Sequence, residues 1–193
     1  MKIESKPFVY DTAVVSQKQF DDHITLYNGY VGKTNETTEM LKNNPEWKSA
    51  NATGGHYRGW KKTETYAING VFLHELYFQN LGSRKSKPLA KTQKVFTESF
   101  GSFENWKDDF IACATSARGW CILVYEQRTK SFRNILLDTH EDGNIVAAFP
   151  LIVLDMYEHA YFLDFGTDKT GYINKFIDNI SWDLIESRIS TLI

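Results

Sequence analysis

The apolar positions of this chain change period along its length, and each change marks an element. Residues 1–15 show no helical repeat and read as an extended arm. From Ser16 to about Leu41, Phe20, His23, Ile24, Tyr27 and Val31 recur at spacings of three and four. That repeat lines one face of an α-helix. Asn43, Asn44 and Pro45 stop it, since proline lacks the amide proton a helix interior needs. Residues 45–60 are mixed, with a turn signal at Gly54-Gly55. Residues 61–82 predict a second helix: Tyr66, Val71, His74, Tyr77, Phe78 and Leu81 mark its inner side, and Gly82 suits the position just past its last turn. Two long helices with a short connection predict an antiparallel hairpin. The polar, basic segment 83–90 (SRKSKPLA) reads as a linker.

The texture then changes. Residues 90–117 predict two helices broken at Gly101-Ser102. Residues 119–126 (GWCILVYE) and 131–138 (SFRNILLD) are β-rich, and the polar Gln127-Arg128-Thr129-Lys130 between them signals a hairpin. Residues 149–156 (FPLIVLDM) predict a third short strand, and 171–192 return to a helical pattern. There is no internal repeat and no low-complexity tract. Helices first, then helices with a small sheet, predict an α+β fold. Its parts are an N-terminal helical hairpin domain over 1–86 and a C-terminal domain over 87–193, in which helices surround a three-stranded antiparallel sheet.

Composition narrows the class. A chain of 193 residues supports one domain or two small ones sharing a core. With 42% hydrophobic and 24% charged residues it falls in the range of soluble globular proteins. Aromatics at 15% are abundant enough to fill a core and leave rings for a pocket or an interface. A net charge of −2 argues against a nucleic-acid partner. No apolar run approaches the roughly 20 residues of a membrane helix, and MKIESKPFVYDTAVV has no secretory pattern. Cys113 and Cys121 sit in apolar surroundings and read as buried, reduced thiols, which fits a cytoplasmic protein.

Five histidines are few enough to weigh singly. His23 and His74 each lie on an apolar helix face, where a packed core histidine is as natural as a ligand. The segment LDMYEHAYFLDF is more informative, because Asp155 ends an apolar strand and His159 follows four residues later. A buried carboxylate needs a partner, either a metal or a basic side chain. Glu158 adds a third ionisable group in an aromatic frame. Asp-x-x-x-His alone is a weak motif. Three histidines and an aspartate from three apolar segments suit iron, manganese or zinc if they converge. The residues by themselves leave the metal site and the packed core both open.

Together these segments resemble the iron/manganese superoxide dismutase family. LDMYEHAYFLDF is similar to the family's D-x-W-E-H-A-Y-Y signature, with Tyr157 in the tryptophan slot. INGVFLHELYFQNL resembles its second-helix motif, in which a histidine precedes an aromatic pair and Asn-Leu. HITLYNGYVGKTNE resembles the first-helix motif, FGSFENWKDDFIACATSARGW the stretch leading to Gly-Trp, and Ile180-Ser181-Trp182-Asp183 the closing N-x-x-N-W-D. The matches run in the expected order over about residues 15–190.

The resemblance implies one iron or manganese ion per subunit, cycling between +2 and +3. His23, His74, Asp155 and His159 would be its ligands, with solvent as a fifth. It implies superoxide as substrate, a homodimer or homotetramer, and Glu158 reaching across a two-fold interface. Tyr30 matches the tyrosine at the funnel, Trp120 an aromatic wall that Phe78 and Tyr157 complete, and His140 of DTHEDGN stands in the slot of the glutamine that hydrogen-bonds the solvent. The other place for that glutamine is Gly70, which cannot supply it. An exposed turn residue is the alternative for His140. Three departures stand out: seven residues rather than eight between His23 and Tyr30, which calls for a local change in helix winding; Leu26 or Tyr27 where a second histidine often sits; and Phe162 in place of a tyrosine. They leave two other readings, a metal-binding protein of this fold with lost activity and a non-haem iron enzyme handling oxygen or peroxide. Lys33 and Lys169 are expected to shape the field for an anionic substrate, and His56 reads as a surface histidine.

Overall fold

The computed structural model describes residues 2–43 and 46–192. Helix α1 (Gln17–Asn43) carries the three-and-four repeat on its buried face, through Phe20, His23, Tyr27 and Val31. It is regular α-helix throughout, without the change in winding expected between His23 and Tyr30. The Asn44-Pro45 stop lies outside the described residues. A short 3₁₀ turn (Trp47–Ser49) leads to α2 (His56–Asn80), which starts five residues earlier than residue 61, the start expected from the pattern. Its N-cap is Gly55 at φ 99°, where a β-carbon would come 2.6 Å from the Ser49 carbonyl oxygen. Only glycine takes that conformation without strain.

The two helices are antiparallel: Phe20 packs on Phe78, Tyr27 bonds Glu75, and Tyr30 meets Tyr66. The N-terminal arm is extended as expected but pinned. The amide of Ile3 donates to Asn35 Oδ1 at 2.8 Å, that of Lys6 to Tyr27 Oη at 2.9 Å, and that of Ala13 to the Gly82 carbonyl at 3.0 Å.

Helices α3 (Ala90–Phe100) and α4 (Phe103–Ser116) break where expected, at Gly101 with φ 85° and at Ser102, whose Oγ caps α4 by accepting from the Asn105 amide. Strands β1 (Trp120–Glu126), β2 (Ser131–Leu137) and β3 (Ala148–Asp155) form one antiparallel sheet in the order β2-β1-β3. Central β1 is buried almost throughout. The register sets Trp120 abreast of both Leu137 and Asp155. A 3₁₀ turn (Glu158–Ala160) and α5 (Phe162–Phe165) follow, neither of which the pattern of apolar residues indicated.

The tail is helical as expected and consists of two helices, α6 (Lys169–Asp178) and α7 (Trp182–Leu192). Between them the backbone leaves the helical path to pair with the end of α2: the Gly82 amide donates to the Asn179 carbonyl, the Ser181 amide to the Asn80 carbonyl, and Leu81 bridges Ile180. A β-carbon on Gly82 would meet the Asn179 oxygen at 2.4 Å, so only glycine permits this approach.

The fold is α+β, and one aromatic-rich core runs from the helix pair through the sheet to α4, α6 and α7, including Tyr77, Phe96, Trp106, Phe110, Tyr172 and Trp182. Within it Asn80 Oδ1 accepts the Val153 amide at 2.6 Å, which fixes α2 against β3 and so His74 against Asp155. No described helix is long and apolar enough to cross a membrane.

Candidate metal centre

His23 comes from the buried face of α1, His74 from α2, Asp155 from the last position of β3, and His159 from the turn after it. One potential ligand atom from each lies within 4.8 Å of all the others. Asp155 Oδ2 is at the centre: His23 Nε2 is 3.1 Å away, His159 Nε2 3.3 Å and His74 Nε2 3.6 Å. His23, His74 and Asp155 are buried and His159 is partly open.

Several neighbours orient this set. His74 Nδ1–H donates to the Gly70 carbonyl at 2.6 Å, one turn back on its own helix, so the Nε2 lone pair is left for the centre. Asp155 Oδ1 accepts the Tyr157 amide at 2.9 Å, which turns Oδ2 toward the three imidazoles. Gln19, on the inner face of α1, donates to the His159 carbonyl at 2.6 Å and accepts from the Leu163 amide at 3.1 Å. Tyr157 stacks on His159 with ring centres 5.3 Å apart.

The electrostatics call for a cation. Among the described residues, no lysine or arginine pairs with buried Asp155, whose titratable neighbours are the three imidazoles. Burial pushes His23 below the usual imidazole range and His74 down to about 3, with only partial opposition from Asp155. Burial also pushes the Asp155 carboxyl up, but attraction to His159 and His23 outweighs it and holds the group below the ordinary carboxylate range. His23 and His74, kept neutral by burial, therefore aim lone pairs at an ionised oxygen. His23 Nε2 and His74 Nε2 have no hydrogen-bond partner among the described residues. Orphaned buried acceptors around a lone carboxylate are costly, and one small cation satisfies all of them. Three nitrogens and one oxygen suit iron, manganese or zinc.

The remaining candidates gather nearby. His140 is fully buried, not an exposed turn residue. Its Nδ1 accepts from Trp120 Nε1 at 2.9 Å, and its Nε2 has no partner among the described residues. Burial pushes its pKa down to about 4. Its ring centre lies 4.8 Å from Tyr30 and 5.9 Å from His74. Gly70 makes this possible, because a β-carbon there would sit 2.8 Å from Tyr30 Cδ1 and 3.2 Å from His140 Cδ2. Trp120 stands edge-on to His74 at 5.0 Å, and Phe78 packs on His23 at 5.1 Å. Half-buried Tyr30 lies 5.2 Å from His74, and its phenol is pushed up, first by burial and then by Tyr66.

Other expectations are placed differently. Glu158 is exposed and makes no ion pair among the described residues. It lines a cleft of about 500 Å³ with His159, Tyr157, Arg118 and Lys169. Lys169 also donates to the carbonyls of Thr115 and Ala117 at the end of α4, whereas the charge of Lys33 is offset by Glu36 at 2.6 Å. Tyr27, at the departure from the common pattern, is buried and donates to Glu75, which pairs with Lys6. Exposed His56 pairs with Glu46. Both thiols are free; Cys121 is buried but Cys113 only partly so, because it sits near the open end of α4. The pattern of apolar residues missed Gln19 and Asn80, although each is a polar residue at an inward helical position, which is the signal that could have found them.

Residues 88–188 match the family model for the C-terminal domain of iron/manganese superoxide dismutases. Over 178 residues the chain is 36% identical to the iron superoxide dismutase of Aquifex aeolicus, covering 90% of this chain and 84% of the relative. It is 32% identical over 164 residues to manganese superoxide dismutase 1 of Halobacterium salinarum, covering 83% and 79%. It is 30% identical over 186 residues to manganese superoxide dismutase 2 of Haloferax volcanii, covering 94% and 92%. With the fold and the buried histidine–aspartate cluster, these matches lead to one conclusion: the chain belongs to the iron/manganese superoxide dismutase family.

Proposed function

We propose that this protein is a superoxide dismutase that converts superoxide and protons to oxygen and hydrogen peroxide, using one iron or manganese ion per subunit held by His23, His74, Asp155 and His159. The observation that carries the reading is the convergence of three imidazoles on one buried carboxylate oxygen that, among the described residues, has no lysine or arginine beside it. When bound, the metal supplies the one-electron oxidation and reduction of superoxide.

The chain's own residues do the rest. The Gly70 carbonyl and Gln19 orient His74 and His159. Asp155 supplies the negative charge that favours a +2 or +3 ion. His140 holds a proton at Nε2 beside the site, because Trp120 occupies Nδ1. Tyr30 and Trp120 exclude bulk water around His74. Arg118 and Lys169 flank the cleft at His159, where positive charge favours the approach of an anion.

The ligand set joins a helical hairpin unit over 1–86 to a sheet-containing unit over 87–193, two residues from each, so the metal would also tie the two together. Exposed Glu158 beside His159 suits a contact with a second copy, in a homodimer or homotetramer. Two free thiols fit a reducing, cytoplasmic setting.

The test is superoxide decay, followed by stopped flow, on protein loaded separately with iron and with manganese, with metal content measured in parallel. Catalysis by at least one loaded form is expected. No catalysis by either at full occupancy would overturn the reading.

A further inference from the structure

His140 hangs from the irregular segment between β2 and β3, and its hydrogen bond to Trp120 fixes only one ring atom. An imidazole held at one atom can still swing about that contact. Two residues of α2 close on the rest of it. Asn69 Nδ2 donates to the His140 carbonyl at 3.1 Å and, with Asn144 Nδ2 donating to the same oxygen at 3.3 Å, fixes the backbone. Tyr66, three residues earlier and so on the same helix face, lays its ring 4.4 Å from the imidazole at 46°, nearer than any other ring around His140. Tyr30 meets the imidazole edge-on at 4.8 Å, and Tyr157 lies 5.5 Å away at 66°. Gly70 completes this stretch of α2 by leaving the space that His140 and Tyr30 occupy.

We infer that Tyr66 and Asn69 form a clamp that positions His140, making them further positioning residues for the reaction. The inference rests on the dismutase reading for its link to the reaction, but not for the clamp itself. Trp120 Nε1–H can only donate, so His140 Nδ1 must accept and the proton must stay on Nε2. The clamp preserves that arrangement by keeping Nδ1 in line with Trp120. Losing the Tyr66 ring opens a gap beside His140, and the imidazole turns away from its donor.

The test compares wild type with Tyr66→Ala, Tyr66→Phe and Asn69→Ala in the full-length chain. Zinc loading gives a diamagnetic sample for nitrogen-15 correlation spectra of His140, and iron or manganese loading gives the midpoint potential and the turnover rate. Wild type and Tyr66→Phe should show the single Nε2–H pattern. Tyr66→Ala should lose it, shift the potential, and slow turnover about tenfold or more at full metal occupancy, the usual scale for losing a residue that supports a metal site. Asn69→Ala should shift the His140 backbone amide and move the same readouts in the same direction by less. An unchanged Nε2–H pattern in folded Tyr66→Ala overturns the clamp. Should that variant not fold, Asn69→Ala decides by the same criterion. A changed pattern with unchanged potential overturns its link to the reaction. A clamp signature in a protein that decays no superoxide with either metal supports the clamp and overturns the function.

Discussion

Replacing Gly70 by alanine sets the stability of α2 against the placement of two side chains. Glycine inside a helix costs about 0.8–1 kcal/mol relative to alanine, so on propensity alone the substitution stabilises. The added methyl group, however, would lie 2.8 Å from Tyr30 Cδ1, 3.0 Å from Tyr30 Cγ and 3.2 Å from His140 Cδ2. The Tyr30 atoms are at the root of the ring rather than at its far end, so the whole phenol must move. Tyr30 is half-buried and has room to swing outward; His140 is fully buried and hydrogen-bonded to Trp120, so it yields less. Overpacking typically costs about 1–3 kcal/mol. The sum is a net destabilisation of about 0–2 kcal/mol, or a melting point lowered by at most about 8 °C at about 2–4 °C per kcal/mol for a chain this size. Turnover should suffer more, by about tenfold, because the residues displaced are those around the site. Thermal unfolding and stopped-flow superoxide decay of the metal-loaded variant measure both effects. A variant about 1 kcal/mol more stable than wild type with unchanged turnover would refute the claim that Tyr30 and His140 need the space at Gly70.

Two further outcomes are expected. Asp155→Ala removes the carboxylate at the centre of the cluster, and the purified protein should retain no stoichiometric iron or manganese by elemental analysis; full retention would rule out this ligand set. In metal-free protein, His74 and His140 are held at about 3 and about 4 by burial, below the 6.5 of an unperturbed imidazole. The folded state therefore binds fewer protons than the unfolded one between those values. Stability should be fully present above about pH 6.5 and fall as pH drops toward 4. Urea unfolding at pH 7 and pH 5 checks the sign, and equal or greater stability at pH 5 would contradict it.

What could be read from the sequence was what local chemistry decides. The break between α3 and α4 follows from Gly101 and the cap at Ser102, and the β1–β2 hairpin from two β-rich runs around a polar tetrapeptide. What could not be read depends on distant partners. The tail breaks at Asn179–Ser181, where the backbone pairs with the end of α2, and residues 171–192 alone do not name that partner. His23 and His74 are ambiguous for the same reason: whether an inward histidine is a ligand depends on what faces it, and that is set by the antiparallel α1–α2 packing and the Asn80 bond to β3. Tyr66 and Asn69 read as ordinary helix residues, because their partner His140 lies 71 positions beyond Asn69.

His140 shows how burial can change what a residue type means. A histidine proposed as a fixed hydrogen-bond donor brings a liability, since an exposed imidazole near pH 6.5 exists in two charge states and, when neutral, in two tautomers. Both are removed here by separate means. Burial lowers its pKa to about 4, so the ring stays neutral well below neutral pH. A bound cation nearby would act in the same direction, because it repels the added proton. Trp120 removes the second freedom by occupying Nδ1 with a donor that cannot accept, which leaves the proton on Nε2. The result is a side chain offering one N–H in a fixed place. The proposed role calls for a single donor of constant charge, and His140 supplies it only while Trp120 stays in place and water stays out. Loss of either condition should return the residue to ordinary imidazole behaviour, even with all four candidate ligands intact.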